Sequence, residues 1–209
     1  GLNPKQTRLI AQMHKAITVI QFKLEAAIID RRPEFEMANR KLLHMIDFER
    51  GVFCYDGREY EMTDTFFPTI DPKNPYQLTP DEQELVEKIH ISFINSEKLK
   101  KHMRCLFTYG GMYLVCNNNL LYHASIPMNA DGSFKHVKIG EKEYWGEKLL
   151  AKSDQLIRTA YFGEEGEDKD YALDFVWYMW CGANSPLFDK DKMAAFESYF
   201  VNDDELKKE

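Results

Sequence analysis

The chain has 209 residues, of which 44% are hydrophobic and 29% charged, and its net charge is −7. That length holds one large domain or two small ones, the apolar content excludes disorder, and the acidic balance lacks the basic footprint of a nucleic-acid binder. The longest apolar run, Phe175 to Cys181, falls well short of the roughly 20 residues that a membrane-spanning helix needs.

Asn3 followed by Pro4 is a helix start, because a missing N–H costs nothing in the first turn. Leu9, Met13, Ile17, Ile20, Leu24 and Ile28 then recur at spacings of four and three, which predicts one long amphipathic helix. Arg31-Arg32-Pro33 ends it, since the residue before a proline is pushed out of helical geometry. A second helix is predicted on Phe35, Ala38, Leu42 and Met45. Asp56-Gly57 then predicts a two-residue hairpin turn, pairing Tyr55 with Arg58 and Phe53 with Tyr60. Residues 67–75 are proline-rich and read as loop. Thr79-Pro80-Asp81-Glu82 is a capping box that opens a helix on Leu85, Ile89 and Phe93. Leu99, Met103 and Leu106 resume the stripe after Asn95-Ser96, and Gly110-Gly111 closes it.

After residue 111 the pattern changes. Met112 to Cys116 and Leu120 to His123 are short apolar runs around Asn117-Asn118-Asn119, and asparagine tolerates the left-handed geometry of a tight turn. Asp131-Gly132 predicts another turn before a strand over 134–139. Leu149, Leu150, Leu156, Ile157 and Ala160 mark a helix. An acidic loop over 163–170 leads to an aromatic helix over 171–181, and a last short helix is predicted over 193–199. The expected organisation is a mostly helical region, 3–110, with an inserted hairpin, followed by strands and helices over 111–209.

The four cysteines, at 54, 105, 116 and 181, form no CxxC pair and read as reduced thiols of a cytoplasmic protein. Glu87-x-x-His90 has the spacing of a di-iron half-site, but such a site needs a second copy, so it reads as a solvated helix face. Asn129 to Gly132 fails as a calcium loop because Lys138 stands where the bidentate Glu belongs. Arg31-Arg32 and the group Lys98, Lys100, Lys101 and Arg104 are candidate phosphate contacts that read more simply as solvated helix faces. His123, at the end of a short strand, is the one candidate metal ligand, since imidazole is the commonest nitrogen donor to transition metals.

Several blocks resemble one family, the class III fructose-1,6-bisphosphatases. They are His14 to Ile17 with Ile20 to Glu25, Arg31 to Met37, Ser96 to Leu99 with His102-Met103, and Gly111 to Leu114. Asn119 to His123 with Ile126-Pro127 follows, then Trp177 to Trp180 with Gly182, Ser185 to Phe188, and Phe196 to Phe200. That family is similar to the calcineurin-like metallophosphoesterases. The resemblance implies an α+β fold in which the second half forms part of a metallophosphoesterase sandwich. It also implies a hydrolase of gluconeogenesis that removes the 1-phosphate of fructose 1,6-bisphosphate at a dinuclear manganese site.

The family's D-x-H, G-D-x-x-D-R-G, G-N-H-D/E and G-H-T motifs do not occur in these residues, and one family ligand maps onto the sequence, at His123. Ala124 stands where the family usually has glycine. The chain begins without Met and ends in a charged stretch over 203–209. It is therefore expected to be an internal segment of such an enzyme, inactive alone and prone to self-association through open strand edges, with neither nucleic acid nor a membrane as partner. The competing expectation is a non-catalytic helical interaction module that grips a partner with its amphipathic stripes.

Overall fold

The computed structural model of the chain describes residues 3–188 together with Phe196, Phe200 and Val201. Among the described residues it is an α+β protein with five α-helices and three small antiparallel sheets of three, two and two strands. It divides into two units, residues 1–90 with 194–209 and residues 91–193.

In the first unit, α1 spans Pro4–Arg31. Its capping box is reciprocal: Gln6 N–H donates to Asn3 Oδ1 at 2.9 Å, and Asn3 N–H donates to the Gln6 side chain at 3.0 Å. The buried face coincides with the predicted stripe at Ile20 and otherwise departs from it. Leu9, Met13 and Ile17 are 57%, 60% and 45% exposed, whereas burial follows Val19, Ile20, Phe22, Lys23, Ala26 and Ile29. The apolar stripe is present in the sequence, but in the first half of the helix the contact with the rest of the unit runs through Lys15, which pairs with Asp64 at 2.6 Å and lies over the Phe67 ring, and not through Leu9, Met13 or Ile17.

The second predicted helix is also corrected. The stretch forms three 3₁₀ turns, Pro33–Phe35, Ala38–Arg40 and Leu43–Met45. Glu36 sits in the left-handed region at φ 55°, which no α-helix passes through. Of the four predicted positions Phe35 and Leu42 are buried, Met45 is half-buried and Ala38 is exposed, while Met37 and Leu43 are buried off the predicted period.

The hairpin follows its predicted register. Strands β1 (Ile46–Asp47), β2 (Val52–Tyr55) and β3 (Arg58–Glu61) form one sheet, with Phe53 opposite Tyr60 and Tyr55 opposite Arg58. Asp56 and Gly57 take φ of 48° and 71°, the mirror-image turn that suits right-twisted strands. Phe53 is fully buried against Phe196, ring centroids 4.6 Å apart, within a core that also holds Phe22, Leu43, Phe67 and Phe200. Of the helix predicted over 193–199, all but Phe196 lies outside the described residues.

Helix α2, Pro80–Ile94, begins at the predicted capping box. Glu82 Oε2 accepts from Thr79 N–H at 2.8 Å and also from Lys23 Nζ at 2.7 Å. The Lys23 and Glu82 side chains are 0% and 7% exposed, so this pair is a buried tie between α1 and α2.

In the second unit, α3 (Glu97–Tyr109) is capped by Ser96, whose Oγ accepts from Leu99 N–H at 3.3 Å. Strands β4 (Tyr113–Cys116) and β5 (Asn119–Tyr122) pair antiparallel around Asn117 and Asn118, both left-handed at φ 51° and 61°. The strand predicted over 134–139 begins later. β6 is Val137–Ile139, and it pairs with β7, Lys142–Tyr144, across a turn at Gly140 that the sequence reading missed. Helices α4 (Gly146–Phe162) and α5 (Glu167–Cys181) pack together through Leu149, Leu156, Ala160, Ala172, Phe175 and Met179. The acidic loop is shorter than predicted, because Glu167, Asp168 and Asp170 form the first turn of α5, where negative charge complements the helix dipole.

Candidate functional site

His123 follows the last residue of β5. Because Tyr113 pairs with Tyr122, the next position across the ladder from His123 is Met112, so the imidazole stands at the open end of the hairpin. A two-stranded hairpin is marginally stable in water and frays at its open end unless something holds it. Here both strands are held. Met112 N–H donates to Asp154 Oδ1 at 3.3 Å, and Ser125 N–H donates to the Pro186 carbonyl at 3.2 Å.

Asp154 is itself fixed. Arg158, one helical turn along α4, donates from Nε to Asp154 Oδ2 at 2.7 Å. Its Nη2 donates to the Gly110 carbonyl at 2.7 Å, and its Nη1 donates to the Phe107 carbonyl. The guanidinium thus satisfies backbone acceptors that the C-terminus of α3 leaves over. Tyr113 Oη adds a bond to Glu147 Oε1 at 3.1 Å, which holds the phenol pKa above its usual value.

Around these groups lies a cavity of about 390 Å³, with His123, Asp154 and Arg158 at its polar side and Phe107, Met112 and Leu187 among its apolar walls. His123 is exposed and makes no hydrogen bond or ion pair with any described residue, so both ring nitrogens are open to a ligand. Ala124, beside it, is exposed and is not among the residues with positive φ, so the position does not require glycine.

Among the described residues, no group of three or more His, Cys, Asp or Glu side chains is gathered closely enough to hold a metal ion. The lining of this cavity therefore offers one imidazole, which suits one coordination position and does not build a dinuclear centre.

The other candidates scatter. Glu87 and His90 are exposed on α2, and Lys98, Lys100, Lys101 and Arg104 are exposed on α3, with Lys100 paired to Glu97 at 3.1 Å. Arg31 is exposed and Arg32 half-buried, both at the end of α1 in the other unit. Asp131 turns the chain by accepting from Ser133 N–H and Oγ at 2.9 and 2.6 Å, which holds its carboxyl below the ordinary range. None of the four cysteines is in a disulfide; Cys54, Cys105 and Cys116 are exposed and Cys181 is buried. Asp154 and Arg158 escaped the sequence reading. Their one signal is an Asp-x-x-x-Arg spacing on a helix, which is also the mark of an ordinary surface ion pair.

A sequence model of the family described as Firmicute fructose-1,6-bisphosphatase matches residues 1–209. A curated relative from Bacteroides thetaiotaomicron, named fructose-1,6-bisphosphatase class 3, is 74% identical over 99% of the chain. Relatives of the same name from Phocaeicola vulgatus and Clostridium tetani are 61% and 50% identical over 99% and 100% of the chain. The chain spans 31 to 32% of the length of these relatives. No solved structure gave a significant match. Nothing in these comparisons supports the competing reading of a helical interaction module.

Proposed function

The chain belongs to the Firmicute fructose-1,6-bisphosphatase family, and from that premise we propose that it is a segment of a metal-dependent phosphatase that hydrolyses fructose 1,6-bisphosphate to fructose 6-phosphate. In this reading the enzyme is cytoplasmic and serves gluconeogenesis, with neither nucleic acid nor a membrane as partner, and its hairpin β4–β5 forms part of a metallophosphoesterase sandwich completed by residues outside the 209. The observation that carries the site is that His123, exposed and without a hydrogen bond to any described residue, lines a cavity beside a hairpin end held by bonds on both strands.

His123 would donate one nitrogen to a dinuclear manganese centre whose remaining donors come from outside this chain. The chemistry that a pair of divalent cations supplies when bound is neutralisation of phosphoryl charge and activation of water. What this chain's residues do is narrower. Met112, Asp154 and Ser125 hold the strand ends, and Phe107, Met112 and Leu187 give the cavity a water-poor wall.

The test is His123→Ala in the full-length protein, with bound manganese counted by elemental analysis after exhaustive dialysis. The expected result is a clear fall in manganese per polypeptide. Unchanged stoichiometry and affinity would remove His123 from the site.

A further inference from the structure

Hydrogen bonds converge on the open end of β4–β5 from α4, and none of them is needed to hold α4 itself together. Asp154 and Arg158 stand one turn apart on that helix and reach the same corner by different atoms. Asp154 Oδ1 takes the N–H of Met112, the residue across the ladder from His123. The Arg158 fork takes the Gly110 and Phe107 carbonyls just upstream, while its Nε holds Asp154 Oδ2 at 2.7 Å. The guanidinium is therefore spent on protein acceptors and is not presented to an anion in the cavity. Corner and helix cannot move apart without breaking several of these bonds together.

The corner leaves little slack. A Cβ at Gly110 would sit 2.5 Å from the Leu106 carbonyl, so the chain must pass there as glycine. Two residues later the amide is held by Asp154, and one residue after that Tyr113 Oη is held by Glu147 on the same helix. An imidazole used as a ligand must project from a fixed place, and since no described side chain hydrogen-bonds to the ring, what the surrounding bonds set is the position of the backbone from which it projects.

We propose that the Asp154–Arg158 pair is a positioning clamp for His123. It sets the open end of the β4–β5 hairpin, and thereby the direction in which the imidazole faces the cavity. The pair touches neither substrate nor metal and acts through the backbone of Met112. The consequence for metal affinity rests on the proposed role of His123, whereas the positioning itself does not.

The experiment uses full-length protein carrying Arg158→Ala, Arg158→Lys, Asp154→Asn, Asp154→Leu or, as reference, His123→Ala. Amide hydrogen exchange is followed for residues 111–181, and the ring resonances of His123 are followed with ¹⁵N-labelled histidine in metal-free protein. Arg158→Ala and Asp154→Leu are expected to speed exchange at Tyr113 and at 122–125 selectively and to shift the His123 ring signals. Asp154→Asn, which keeps an oxygen for Met112 N–H, should rescue most of the change, and Arg158→Lys, which keeps charge but not the fork, should rescue little.

In the same variants manganese affinity should fall by roughly 10- to 100-fold, the range for residues that orient a metal ligand from behind. Ring signals and exchange that match the unsubstituted protein in a folded Arg158→Lys variant would overturn the clamp. So would a loss of protection spread evenly over α4 and α5, which marks general destabilisation. If His123→Ala leaves manganese affinity unchanged, the ligand reading fails on its own, and the exchange and ring signals still decide the clamp.

Discussion

Glu82 offers the sharpest test of how the first unit is held together. Its carboxylate accepts from Lys23 Nζ at 2.7 Å and from Thr79 N–H at 2.8 Å, and Lys23 also donates to the Thr69 carbonyl, at 2.6 Å. With the Lys23 side chain 0% exposed, Glu82→Leu strands an ammonium in the interior. Removing one partner of such a pair costs about 3–5 kcal/mol, and the lost capping interaction adds about 1 kcal/mol. At about 2–4 °C per kcal/mol for a chain of this size, the melting temperature should fall by roughly 8–24 °C.

The double variant Lys23→Met/Glu82→Leu removes both charges and fills the space with apolar atoms. It should return to within about 1–2 kcal/mol of the unsubstituted chain, because desolvation of the pair offsets most of its Coulomb attraction. The assay is thermal and urea unfolding followed by far-UV circular dichroism. A double variant as unstable as Glu82→Leu alone would refute the reasoning, since the deficit would then come from packing or capping and not from an orphaned charge.

The pH dependence supplies a second readout. Burial pushes the Glu82 carboxyl upward, but hydrogen bonds from Lys23, the Thr79 amide and Thr69, with the attraction of Lys23, outweigh it and leave the folded pKa below the ordinary 4.5. A lowered folded pKa means that the contribution is full above the ordinary value and is lost as pH falls through the folded one. The unsubstituted chain should lose stability on acidification below about pH 4.5 more steeply than Glu82→Leu does.

Gly182→Ala would place a methyl group 2.6 Å from Tyr178 Cδ2 at the end of α5. It should cost about 1–3 kcal/mol by overpacking, read by unfolding of the same chain, and Tyr178→Leu in the same background should recover part of the loss. The 209-residue chain supplied with manganese should release no phosphate from fructose 1,6-bisphosphate above a heat-killed control, and turnover by it would show that the donors outside the segment are not needed. The isolated chain should self-associate in sedimentation as concentration rises. Val115→Lys and Leu121→Lys should reduce that association, because charge on an open strand discourages edge pairing, and a strictly monomeric parent would count against exposed strands as the cause.

What could be read from the sequence was what short-range chemistry decides. Asn3-Pro4 and Thr79 to Glu82 mark their helix starts because a capping side chain answers amides within the next turn, whereas Ser96, read as a break in the stripe, caps α3 in the same way. Asp56-Gly57 and Asn117-Asn118 set their registers because few residue types accept two successive left-handed positions. The failures share the opposite cause. Whether Leu9 and Met13 or Val19 and Phe22 face the core depends on which elements arrive beside α1, and no periodicity in α1 contains that. Phe35, Ala38, Leu42 and Met45 mimic a helix because a chain that winds over a core in 3₁₀ turns also returns apolar groups every three or four residues. At the site, His123 was legible as a residue, while Asp154 and Arg158 were not, since their role lies in backbone atoms more than forty positions away.

That separation bears on what the 209 residues can show by themselves. The hairpin carrying His123 is fixed at its open end by Asp154 and Pro186, yet along its length Leu114, Val115, Leu120 and Leu121 are 59%, 61%, 42% and 55% exposed. Consecutive strand residues face opposite sides, so both faces are apolar and both are uncovered, as in strands meant to be covered on two sides. The anchoring uses only residues of the second unit, whereas covering the faces and completing a metal centre need donors and surfaces that this unit does not supply among its described residues. The two properties should therefore come apart in experiment. The isolated chain should show a His123 ring environment that responds to Arg158→Lys while showing no turnover. Loss of that response in the isolated chain, with its retention in the full-length protein, would mean that the imidazole is oriented by what covers the strands and not by α4.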